Sequence, residues 1–110
     1  MAVNIFPYAQ EYFHCLVNES NLEKEAALEC LWQVHGFYRW LKQQSVSQEP
    51  GKFEEKHILG YLFNILQDGD EASFFACKRI VSAFVYYFDY LTDIGVTEEE
   101  EYPTEILMAY

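Results

Sequence analysis

The chain has 110 residues, 51% of them hydrophobic and 18% aromatic, enough apolar material for one core, too little length for two, and too much for intrinsic disorder. Its 18 acidic residues against 7 basic ones give a formal net charge of −11. That balance argues against direct binding to nucleic acid or to an anionic membrane surface, both of which need a cationic footprint, and favours a positively charged protein partner.

Helical spacing recurs along the chain and sustained period-two alternation is absent. The predicted class is therefore all-α: a single-domain antiparallel bundle of four main helices, residues 1–95, with a short acidic C-terminal segment, residues 96–110. The first helix is expected from about Asn4 to Asn18, with Pro7 in its first turn, where a missing N–H costs little. Ile5, Ala9, Tyr12, Phe13 and Leu16 mark its apolar side. Ser20-Asn21-Leu22-Glu23 matches a capping box, in which the Ser20 hydroxyl and the Glu23 carboxylate satisfy each other's backbone N–H groups. This motif is expected to open the second and longest helix, along which Ala27, Leu31, Val34, Tyr38 and Leu41 form one stripe. Gly36 inside it points to a close helix crossing or a slight bend.

Gln43 to Lys52 is polar, contains Pro50-Gly51 and reads as the clearest loop. A third helix is predicted from about Phe53 to Gln67, with Ile58, Leu62, Ile65 and Leu66 on one side and Gly69 as its left-handed stop. The fourth runs from Glu71 to about Asp93. Its stretch Ile80–Phe88 is apolar nearly all round, so this helix is either central in the bundle or covered on one side by another chain, a second copy included. Lys78 and Arg79 near its start and Asp89 and Asp93 near its end oppose the macrodipole preference, which points to use at the surface.

Charge is unevenly distributed. From residue 89 to 110 the chain holds seven acids and no lysine or arginine, whereas the first 88 residues hold eleven acids and all seven bases. Thr97 is expected to cap a short turn through Glu100. Beyond Pro103 two arrangements stay open: Ile106, Leu107 and Met108 fold back on the bundle, or the segment is loose.

Three cysteines, Cys15, Cys30 and Cys77, are odd in number and lack a Cys-x-x-Cys pair, which fits free thiols in a reducing, cytoplasmic setting. Met1 to Tyr8 lacks the basic and apolar regions of a secretory signal, and no segment is long and apolar enough to span a bilayer.

The duplicated Glu-x-x-His, Glu11 with His14 and Glu54 with His57, has the spacing of half a di-iron site. Glu54 lies beside Glu55 and Lys56 in a first turn, however, and the fourth helix offers no acid in its middle, so no metal site and no cofactor are expected. Serine nucleophile elbows, glycine-rich phosphate loops and calcium loops are absent. The sequence thus points to binding rather than turnover, with no catalytic residues. Carboxylates interleaved with aromatic rings suit a docking surface for Lys and Arg, because charge steers the encounter and rings supply anchoring contacts. The candidate partner-binding residues are Asp89, Asp93, Glu98, Glu99, Glu100, Glu101, Tyr102 and Glu105.

In charge and size alone the chain resembles bacterial toxin-immunity proteins and phage nucleic-acid mimics. That likeness implies an inhibitor covering the basic active-site groove of a nuclease or toxin domain. The alternative is a helical adaptor or structural protein self-associating as a homodimer through its fourth helix.

Overall fold

The computed structural model describes residues 5–67 and 69–97, which form four helices and no strand: α1 (Ala9–Asn18), α2 (Lys24–Gln43), α3 (Glu55–Leu66) and α4 (Glu71–Asp93). They make an antiparallel all-α bundle. α2 and α4 are its central pair, and α1 and α3 flank them on opposite sides, each packed on both central helices. The apolar run of α4 is consumed by this arrangement. Ile80, Val81, Ala83, Phe84, Tyr87, Phe88 and Leu91 are all buried, while Ser82, Tyr86 and Asp89 face outward.

Aromatic rings fill the core. Phe37 on α2 meets Phe84 on α4 at 5.1 Å, Phe53 at 5.4 Å and Tyr61 on α3 at 5.6 Å between ring centroids. These are edge-on or tilted contacts in the favourable range. The predicted α2 stripe is the buried side at Ala27, Val34, Tyr38 and Leu41, with Leu31 half-buried. Phe37 lies beside that stripe, and it is buried because α2 is covered by α3 and α4 as well as by α1. Gly36 is a close crossing: a Cβ there would stand 2.9 Å from the Tyr61 hydroxyl of α3.

Two helix starts differ from expectation. α1 opens at Ala9, not near Asn4, and Pro7 precedes it. Phe6 turns inward instead, stacking on Tyr38 at 5.7 Å and meeting Tyr87 edge-on at 5.4 Å. The Tyr87 hydroxyl donates to the Pro7 carbonyl at 2.8 Å, and Tyr8 takes the left-handed conformation (φ 64) to join this anchored strap to the helix. With Tyr87 donating to Pro7, the Tyr38 hydroxyl is the donor in the 2.9 Å contact between the two tyrosines.

The capping box at Ser20 does not form. Its residues are used to finish α1: Ser20 N–H donates to the Cys15 carbonyl, Asn21 turns left-handed (φ 57), and Leu22 N–H donates to the Leu16 carbonyl. α2 therefore starts at Lys24, with Glu23 extended ahead of it.

The remaining boundaries follow local chemistry. Asp70 caps α4 by accepting the Ser73 N–H at 2.7 Å, which holds its carboxyl below the ordinary range, and Gly69 is left-handed as expected. α4 ends in a Schellman turn: Gly95 is left-handed, Gly95 N–H donates to Thr92 O, and Val96 N–H donates to Leu91 O. That turn sends the chain back against the bundle, half-burying Val96 and burying Thr97. Among the described residues no helix is long and apolar enough to cross a membrane.

Candidate functional site

Of the predicted binding residues, Asp89 and Asp93 sit one turn apart on the outer face of α4, both exposed. Glu98, Glu99, Glu100, Glu101, Tyr102 and Glu105, and the turn expected from Thr97 to Glu100, lie outside the described residues.

The fold adds acids that the sequence did not bring together with these. Glu11 on α1 and Glu19 at its C-cap stand eight residues apart, on the side that runs beside the end of α4. The Cys15 thiol between them donates to the Glu19 carboxylate at 3.2 Å. Burial pushes that thiol up to about 11, and the negative charges of Glu19 and Asp93 add to the shift. Burial also raises the Tyr90 hydroxyl, with Glu11 and Glu19 contributing in the same direction. Glu11, Glu19 and Asp93 thus act on one neighbourhood, an acidic edge shared by α1 and α4. Their separation in the sequence hides it; the only signal was the i, i+4, i+8 spacing of Glu11, Cys15 and Glu19.

The bases of α4 are engaged at its other end. The Arg79 guanidinium lies 3.7 Å from Glu29 of α2, and the Lys78 ammonium stands 4.8 Å over the Phe74 ring. Both are surface contacts of small energetic weight, and they leave the acidic edge without a facing cation from this helix start.

The Glu-x-x-His pairs have structural explanations. Glu54 N–H donates to His57 Nδ1 at 2.9 Å, so the second pair is an α3 helix cap, and the Glu54 carboxylate pairs with Lys56 at 3.0 Å. His14 is exposed on α1. Among the described residues no three His, Cys, Asp or Glu side chains gather in a way that would hold a metal ion. His35 meets the Trp32 ring edge-on at 5.7 Å, and its Nδ1 is buried without a hydrogen-bond partner.

Among the described residues most tyrosines and tryptophans are core: Tyr12, Tyr38, Tyr61 and Tyr87 are buried and Tyr90 and Trp40 half-buried. Tyr8, Tyr86 and Trp32 remain exposed, joined by Phe63, Phe74 and Phe75. Burial raises the thiols of Cys15, Cys30 and Cys77 and the phenols of Tyr12, Tyr61 and Tyr90. The folded chain thus holds protons that the unfolded chain releases near the ordinary thiol and phenol values. Their contribution is complete below those values and is lost as pH rises toward the raised ones. Thermal midpoints measured by circular dichroism should be insensitive to these groups up to about pH 8.5 and should fall steadily above about pH 9.

No protein-family profile matches the chain, and neither a curated protein nor a solved structure does.

Proposed function

We propose that the chain is a non-catalytic acidic binding protein that occupies the basic substrate groove of a nucleic-acid-processing enzyme in the cytoplasm, in the manner of an immunity protein toward a nuclease toxin. One observation carries this reading: the charge is segregated, with seven acids and no lysine or arginine from residue 89 onward. A nuclease attracts phosphates and so presents a cationic cleft, which an acidic surface on a helical scaffold is suited to fill. Exposure of Asp89 and Asp93, and the neighbouring Glu11 on α1 and Glu19 at its C-cap, support the same reading by extending that negative end onto the folded bundle.

The test is affinity capture with the tagged full chain at low ionic strength, followed by a salt step, because long-range charge attraction is screened as the Debye length shortens. The expected eluate is a basic nuclease or related enzyme whose activity is abolished by one equivalent of pure protein. Failure to retain any basic protein, or retention of an enzyme that stays fully active when saturated, would refute the reading.

A further inference from the structure

Between the N-terminal strap and the α2–α3 loop lies an open cleft of about 560 Å³, lined by Ile5, Phe6, Pro7, Tyr8, Tyr38, Gln48, Glu49 and Pro50. Its walls are rings and aliphatic surface, and among the described residues the charged one that lines it is Glu49. No lysine or arginine among the described residues pairs with that exposed carboxylate.

Both rims are fixed from below. On the strap, Phe6 is buried against Tyr12, Tyr38 and Tyr87, and the Pro7 carbonyl is held by the Tyr87 hydroxyl. On the loop, the Gln48 side chain donates to the Tyr38 carbonyl at 2.8 Å, and Glu49 N–H donates to the Ser47 hydroxyl. Tyr8 keeps a left-handed backbone (φ 64) that a bulky residue adopts only where its surroundings impose it, and its ring is exposed at the rim.

We propose that this cleft takes an arginine side chain offered by an extended segment of the basic partner. The guanidinium pairs with Glu49 and stacks on Tyr8, and the methylenes lie along Ile5, Pro7 and Pro50. Arginine is the fitting occupant because its planar cation combines bidentate pairing to a carboxylate with stacking on an aromatic face, while its stem covers apolar surface. The cleft also lies near the acidic edge: Tyr8 at its rim is the residue before α1, and Glu11 of that edge is in the first turn of the same helix. A partner steered to that edge therefore meets the cleft within the same contact. This inference rests on the reading of the chain as a binder of a basic protein and assigns it one anchoring site.

The experiment titrates the isotope-labelled full chain with acetyl-Ala-Arg-Ala-amide and follows backbone amide resonances, with the neutral citrulline peptide as control. Saturable shifts are expected at Ile5, Tyr8, Gln48 and Glu49 with the arginine peptide, and none with citrulline. Glu49→Gln and Tyr8→Gly should each weaken binding about tenfold. The glycine variant removes the ring while suiting the left-handed backbone, so its fold is retained. Equal shifts with citrulline, unchanged affinity in both variants, or no saturable shift in the cleft would each overturn the site. Shifts confined to Asp89, Asp93 and the C-terminal carboxylates would overturn it while leaving the broader reading of an acidic binder intact.

Discussion

Replacing Phe37 with alanine is expected to destabilise the bundle by about 3–5 kcal/mol, the usual cost of deleting a buried aromatic ring in a core that relaxes only partly. Phe37 is fully buried and lies at the junction of three helices. Its ring touches Tyr38, Trp40, Phe53, Tyr61 and Phe84 at centroid distances from 5.1 to 6.5 Å. Truncation removes the transfer energy of the ring, leaves a cavity and forfeits those ring contacts together. Because a domain of this size has about 5–15 kcal/mol of stability in total, the variant should unfold at a much lower guanidinium chloride midpoint. Phe37→Leu keeps most of the volume and should cost less than half as much. Equal midpoints for the wild type and the alanine variant would show that the ring cluster is not what joins α2 to α3 and α4.

Phe37 also shows what the sequence could and could not convey. A single stripe on α2 was legible because Ala27, Val34, Tyr38 and Leu41 repeat at helical spacing. The second buried side was not, since nothing local says that α2 is covered on more than one side. Glycines were more informative: Gly36 marks the close approach of Tyr61, and Gly69 is the left-handed stop before α4. Helix α4 was read with its observed limits, Glu71 and about Asp93, and the structure shows what sets them: the Asp70 cap and the Gly95 turn.

The starts of α1 and α2 were misread for one shared reason. Pro7 and Ser20 each carry a strong local preference for a helix start, and each is used otherwise: Pro7 by a tertiary contact with Tyr87, and Ser20 by the turn that ends α1. The candidate site divides in the same way. Clustering of acids near the carboxyl end is visible in the sequence, whereas the addition of Glu11 and Glu19 requires α1 to lie beside α4.

Reversing Glu98 to Glu101 to lysine changes the local charge by eight and should slow association with the captured enzyme by at least about tenfold at low ionic strength. The effect belongs mainly to the on-rate, because steering acts at a distance before contacts form. It should shrink as salt is raised, since the Debye length falls from about 10 Å at 0.1 M to about 3 Å at 1 M. Loss of helical signal in the variant would mark a folding defect, so circular dichroism accompanies the kinetics. Reversal of Asp89 and Asp93 should act in the same direction with a smaller effect, since it moves half as much charge.

Stopped-flow association of the wild-type and charge-reversed chains with that enzyme, at low and at high salt, measures the claim directly. A large gap in on-rate that closes as salt rises is the predicted result. Matching on-rates at low salt would contradict the claim that negative potential at the carboxyl end is the working surface of this protein.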